Sequence, residues 1–122
     1  MPSARQRTGF DIERGAARFL ESKGLEQFAS NFSSRFGELD LIMWHNETLV
    51  VVEVRHRGTN SLVGALESVS VTKRQRIVQA TRRLIAKHPA LQQHSIRFDV
   101  VAVDGDPNKP HFHWLQDAFR PW

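Results

Sequence analysis

Glu38-Leu39-Asp40-Leu41-Ile42-Met43-Trp44, followed by Leu49-Val50-Val51-Val52-Glu53-Val54-Arg55, is the stretch that decides the fold. Two apolar runs flank the polar pair Asn46-Glu47 and read as a hairpin closed by a two-residue turn. If His45 faces Thr48, the register sets Asp40 opposite Glu53 and Glu38 opposite Arg55. Val50, Val52 and Val54 then point to one face, and Leu49, Val51, Glu53 and Arg55 to the other. Both faces are largely apolar, so the pair belongs at the centre of a covered sheet. Cross-strand neighbours have Cβ atoms roughly 4.5–5.5 Å apart, and like charges there repel. Two carboxylates so placed call for a cation between them. Hard oxygen ligands suit Mg²⁺ or Mn²⁺, an ion that activates water and neutralises a scissile phosphate. The plainer alternative is a salt-bridge cluster in which Glu38, Asp40 and Glu53 balance Arg55 and Arg57, a costly arrangement to bury for structure alone.

Working outward, Thr8 to Lys23 reads as a helix. Thr8 and Asp11 are its N-cap pair, Ile12, Ala16, Phe19 and Leu20 its apolar stripe, and Gly24 its C-cap. Residues 1–7 read as a mobile basic tail. Leu25 to Ser33 is a first strand, and Ser33 to Gly37 a turn carrying Arg35. After the hairpin, Gly58 to Val71 reads as a polar loop. Thr72 caps a second helix that ends before Pro89 and turns Ile77, Ala80, Thr81, Leu84 and Ile85 inward. Ser95 to Val103 is a strand and Asp104 to Pro110 a turn. His111 to Leu115 is a last short strand, and Gln116 to Phe119 a turn of helix. The order α-β-β-β-α-β-β makes an α/β fold, a mixed sheet with helices on its faces.

A chain of 122 residues fits one domain with a real core. No apolar run approaches the ~20 residues that span a bilayer. The basic start, Met1 to Arg7, has no apolar stretch behind it and is not read as a signal peptide. With no cysteine in the chain, disulfides and thiolate metal sites are excluded, which fits a cytoplasmic protein. The net charge of +4 is unevenly spread. Ser68 to Phe98 contains no acid and holds Lys73, Arg74, Arg76, Arg82, Arg83, Lys87 and Arg97. A basic segment beside an acidic site suits a phosphate-backbone enzyme. The bland alternative is a solvated basic face without a partner.

Other residues carry weaker signals. Arg55 stands where a cation would stabilise the phosphoryl transition state; its fork grips phosphate but does not deprotonate. Alternatively it pairs with Glu38 or Glu53. Glu13 could reach the charged end of the sheet as an extra ligand, or pair at the surface with Arg14 or Lys23. Lys73, Arg74 and Arg76 open the second helix as phosphate contacts, with Arg35 and Arg57 extending that basic set. His111 and His113 alternate on a strand but lack a third ligand, and Asp99 reads as the partner of Arg97. Phe112, Trp114, Phe119 and Trp122 read as core closure or as a docking surface.

Glu13, Ala17, Leu20 and Gly24, Asn31, Gly37-Glu38-Leu39-Asp40-Leu41-Ile42, Val52-Glu53-Val54-Arg55-His56-Arg57, Gly64, Lys73, Arg97-Phe98-Asp99-Val100-Val101 and Ala118-Phe119 together resemble the YraN-like family. These small bacterial proteins have a predicted endonuclease fold similar to archaeal Holliday-junction resolvases of the PD-(D/E)xK nuclease superfamily. The resemblance runs from about Gly9 to Phe119. It implies a restriction-endonuclease-like α-β-β-β-α-β core, with Asp40 and Glu53 as the metal-binding acids and Glu13 as the helix-borne acid. The superfamily lysine maps to position 55, which here is arginine.

Two readings of different class follow. One is a Mg²⁺- or Mn²⁺-dependent endonuclease on DNA, branched or otherwise structured, working as a two-fold homodimer if it makes paired cuts. The other is a non-catalytic nucleic-acid binder that kept the fold, with Arg55 as the departure that disables it.

Overall fold

The computed structural model describes residues 4–56, 62–106 and 108–120, with side chains over 11–56, 64–106 and 108–120. Arg57, the start of the expected polar loop and Trp122 lie outside the described residues. The elements are helix α1 (Ala4–Ser22), strands β1 (Glu26–Ser34), β2 (Gly37–His45) and β3 (Thr48–His56), helices α2 (Leu62–Glu67) and α3 (Val71–Lys87), a 3-10 turn at Pro89–Gln93, and strands β4 (Ile96–Asp106) and β5 (Lys109–Phe119). They form a mixed α/β fold around one five-stranded sheet of order β1-β2-β3-β4-β5. The core is that of a restriction-endonuclease-like protein, antiparallel but for one parallel pairing of β3 with β4.

From the turn to Leu41–Val52 the β2–β3 hairpin is as its alternation predicts; the expected pairs Asp40–Glu53 and Glu38–Arg55 are not part of the ladder, and Leu39 and Leu41 lie on different faces. His45 pairs with Thr48 and the register runs through Leu41–Val52. Asn46, at φ 56°, takes the left-handed conformation that asparagine tolerates in tight turns. Five consecutive residues of β3, Leu49 to Glu53, are buried, as in a strand covered on both faces. Leu41, Met43, Val50, Val52, Val101 and Val103 pack with Ala16, Ala17 and Leu20 of α1. Ile42, Leu49, Val51, Val100 and Ala102 pack with Ala65 of α2 and Ile77, Ala80 and Leu84 of α3. Each sheet face thus has its own helical cover.

Several boundaries differ from the sequence reading. α1 takes in Ala4–Arg7 of the expected tail and passes through Thr8, which therefore is not its cap. The expected polar loop contains α2, because Ala65 and Val69 find buried positions under the sheet. The cap of α3 is Ser70 rather than Thr72: its backbone is extended and its side chain accepts the Lys73 N–H, while Val71 and Thr72 are already helical. The β4–β5 hairpin extends both ways past its expected ends, pairing Asp106 with Lys109 and Phe98 with Phe119. Gln116 to Phe119 is therefore strand, not a turn of helix. A register shift between Phe98 and Val100, with Asp117 at φ 52°, takes up the irregularity that mimics helical spacing.

That irregularity serves Asp99, which is fully buried. Its carboxylate accepts two bonds from the Arg97 guanidinium, one from Trp114 Nε1 at 2.8 Å and one from the Asp117 N–H at 2.9 Å. Asp99 is thus the partner of Arg97 expected of it. The aromatic residues near the C-terminal end close the core: Phe112 stacks on Phe19 at 5.5 Å and Phe119 on Phe98 at 5.1 Å. Gly15 permits the first contact, since a Cβ there would lie 2.9 Å from the Phe112 ring. Among the described residues no helix is long and apolar enough to cross a membrane.

Removing the Asp99 carboxylate strips the largely buried Arg97 guanidinium of its anion, leaving it His45, and leaves the Trp114 Nε1 and Asp117 N–H donors without an acceptor. Asp99→Ala is expected to destabilise the fold by about 3–5 kcal/mol. Trp114→Phe, which removes one donor, is expected to cost about 1–3 kcal/mol. Urea unfolding followed by circular dichroism checks both, and equal costs would contradict the central place given to Asp99.

Candidate metal-binding and nucleic-acid site

Asp40 and Glu53 follow the last recorded backbone pair of the β2–β3 ladder, Leu41–Val52. At that point the Asp40 carboxylate crosses to β3 and accepts the Val54 N–H at 2.9 Å. Glu53 is 1% exposed. Both acids open onto a cleft of about 460 Å³, whose other walls are Gly37 and Glu38 of β2 and Ser70, Thr72, Lys73, Arg76 and Ile77 at the start of α3. Gly37, at φ 146°, adopts a backbone conformation that glycine alone takes easily and comes close to Arg76. The N-terminus of α3 carries no acidic residue in its first turn, so its amide dipoles and its cations face the carboxylates together.

The acids are held against their preference for water. Burial pushes the Glu53 carboxyl up from its ordinary 4.5 to about 8, and the Asp40 charge adds to this while Lys73 and Arg55 oppose it. Burial also raises Asp40, against the Val54 hydrogen bond and the charges of Lys73 and Arg55. Glu13, half-buried on α1, rises to about 7, first through burial and then through the charges of Asp40 and Glu38. The three acids thus share one electrostatic field. One oxygen of Glu13 and one of Glu53 are buried with no hydrogen-bond partner. Such orphaned acceptors are costly unless a cation, a hydrogen-bond donor or a proton serves them.

These orphaned oxygens fit a divalent cation. Among the described residues, however, no three His, Cys, Asp or Glu side chains converge closely enough to enclose an ion. Asp40 and Glu53 could supply an open donor set, of the kind Mg²⁺ uses when water completes its shell. Glu13 reaches the pair through its charge. Its alternative surface pairing is not seen: Arg14 bonds Asp11, and Lys23 lies over the Phe19 ring. His113 binds Asp104 at 3.1 Å and enters no metal-binding group.

The basic residues divide. Lys73 and Arg76 share the cleft with the acids. Lys73 Nζ stands 3.8 Å from Glu53 Oε2, making the cross-element ion pair of the site. Arg74 turns to the other flank of α3, donating to the Val69 carbonyl at 2.9 Å and lying over the Phe119 ring. Arg35 lies over Phe36 at the β1–β2 turn. Arg55 does not meet Glu38: its Nε donates to Ser68 Oγ and its Nη2 to the Ser68 carbonyl, both at 2.9 Å. Glu38 instead takes a long bond of 3.4 Å from Ser33 Oγ. The residue missed in the sequence is Ser68, whose hydroxyl also donates to the Ala65 carbonyl at 2.6 Å. The run Ser68-Val69-Ser70 ahead of a basic helix was the signal that could have shown a capped junction.

A carboxyl whose folded value lies above its unfolded one holds a proton that the unfolded chain has lost. Stability is then full below the unfolded value near 4.5 and falls as pH rises to about 8. The loss approaches about 1.4 kcal/mol per pH unit for each such group. Wild type is therefore expected to lose stability steadily from pH 5 to 8, and Glu53→Gln, isosteric and uncharged, to flatten that slope. Denaturant midpoints at a series of pH values test this; a wild-type slope identical to that of Glu53→Gln would show the burial to be relieved in solution.

The comparisons with known proteins agree with one another. A match to the uncharacterised protein family UPF0102 spans residues 12–103, from the helix that carries Glu13 to the end of the buried part of β4. The chain is 45% identical over 120 residues to a UPF0102 protein of Xanthomonas campestris, covering 98% of this chain and 97% of that one. It is 38% identical over 118 residues to one from Pseudomonas syringae, covering 96% of each. A third, from Alcanivorax borkumensis, is 39% identical over 117 residues and covers 95% of this chain and 94% of its own. The YraN-like resemblance read from the residues is this same kinship, and the chain belongs to family UPF0102.

Proposed function

We propose that this protein is a divalent-metal-dependent endonuclease that hydrolyses phosphodiester bonds in DNA, with branched or otherwise structured DNA as its substrate class. The observation that carries the reading is the pair of desolvated carboxylates, one with an orphaned oxygen, opening onto a cleft whose opposite wall is the cationic first turn of α3. Asp40 and Glu53 would hold Mg²⁺ or Mn²⁺, an ion that supplies water activation and charge neutralisation at phosphorus. Glu13 tunes the field of that pair. Arg76 and Lys73 offer the phosphate backbone its counter-charge, and the amides at the start of α3 favour the same anion. Paired cuts on a junction would need two sites, and hence a two-fold dimer.

A second reading is favoured by one specific contact. Arg55, at the position where the PD-(D/E)xK resemblance calls for lysine, is engaged by Ser68. A fold that binds nucleic acid without cutting it would show the same feature.

Labelled four-way junction, flap and linear DNA, incubated in Mg²⁺ and in Mn²⁺, separate these readings. The endonuclease reading expects metal-dependent cutting. Asp40→Asn, which keeps an oxygen for the Val54 N–H, is expected to fold normally and lose more than about 100-fold in rate, beyond what loss of an outer-shell partner costs. Binding with no cutting in either metal would establish the non-catalytic reading instead.

A further inference from the structure

We propose that the Glu53-paired Lys73, rather than Arg55, joins Arg76 as a phosphate contact of the carboxylate cleft, with Arg55 serving as a strut. The proposal rests on the reading of the cleft as a metal-dependent nucleic-acid site and assigns the positive charge within it.

The two cations are built for different work. The Arg55 guanidinium makes two hydrogen bonds of 2.9 Å to one residue, Ser68. Ser68 is itself tied to the last turn of α2 through the Ala65 carbonyl. The chain therefore runs from the end of β3 through Arg55 and Ser68 to the α2–α3 junction. Turning Arg55 toward a phosphate would break both bonds and loosen the support of α3. Lys73 has no such duty. Its ammonium meets Glu53 Oε2 at 3.8 Å, an ion pair longer than a hydrogen bond, and its side chain is 40% exposed. A compact ammonium on a four-carbon stem moves between partners at little cost, whereas a fork locked in two bonds does not.

The position of Lys73 also needs an explanation that helix stability does not give. It is the third residue after the Ser70 cap, where the amide dipoles of α3 present positive charge and favour acids over cations. A local preference broken in a rigid element points to function. Here the break sets an ammonium directly across the cleft from Glu53, on the wall shared with Arg76. A divalent cation on Glu53 would repel that ammonium and turn it outward, toward the phosphate side of the cleft. Lys73 and a divalent cation would thus compete for Glu53, and Lys73 displaced from Glu53 would be available to a phosphate.

The experiment compares wild type, Lys73→Met, Lys73→Arg and Arg55→Met. Four-way-junction DNA binding is measured by anisotropy in Ca²⁺ over a range of salt. Mn²⁺ binding without DNA is measured by electron paramagnetic resonance, and thermal stability alongside. Lys73→Met is expected to lower the slope of log affinity against log salt by about 0.9, the signature of one lost phosphate contact. It is also expected to tighten Mn²⁺ severalfold. Lys73→Arg is expected to restore the slope. Arg55→Met is expected to lower the melting temperature and leave the slope unchanged. If Lys73→Met changes neither slope nor Mn²⁺ affinity, or if Arg55→Met lowers the slope in its place, the assignment is overturned while the metal-dependent reading of the cleft stands. A wild-type protein that binds neither Mn²⁺ nor DNA overturns both.

Discussion

Glu53 is a carboxylate with almost no access to water, set on a central strand with one oxygen unpartnered. Nothing in the packing of a five-stranded sheet requires an acid there; valine occupies the three preceding positions of β3. The cost of desolvating it is met in part by the charges of Lys73 across the cleft and of Arg55, and the positive end of α3 lines the same cleft. Lys73 and the helix end depend on α3 lying where it does. The position of that helix, more than any single contact, makes the acid pair tolerable.

Three ties hold α3 in place. Ile77, Ala80 and Leu84 bury its inner face under the sheet. Arg55 and Ser68 fasten the junction before it to the end of β3. On its far flank Arg74 reaches back to the Val69 carbonyl and covers Phe119. Basic residues that look alike in the sequence thus divide between holding the helix and lining the cleft. The charge of the segment alone does not say which does which.

The hairpin and its register were legible as far as Leu41–Val52, because two-residue periodicity and a two-residue turn fix the pairing once His45 faces Thr48. The inward face of α3 was legible for a similar reason. Less local features were not. Arg55 bonds a residue thirteen positions away through a helix that the polar stretch after β3 conceals. The ion pair of Lys73 with Glu53 depends on where α3 docks, which no spacing encodes. The end of β5 was read as a turn of helix, whereas Leu115 and Phe119 pair with β4 and the Asp117 N–H goes to the Asp99 carboxylate.

The parallel pairing of β3 with β4 has a consequence for how the molecule comes together. Every residue pair in it is separated by 47 positions, whereas Asp40 and Glu53 are brought near each other by a short hairpin. Short loops close early and distant parallel partners join late. The two acids therefore meet first in open water, where each keeps its hydration and their repulsion is weak. They are stripped of water only when the crossover through α2 and α3 settles and β4 zips alongside. The energetic strain of the cleft is a late entry in the folding reaction, so it falls on the unfolding rate more than on the folding rate.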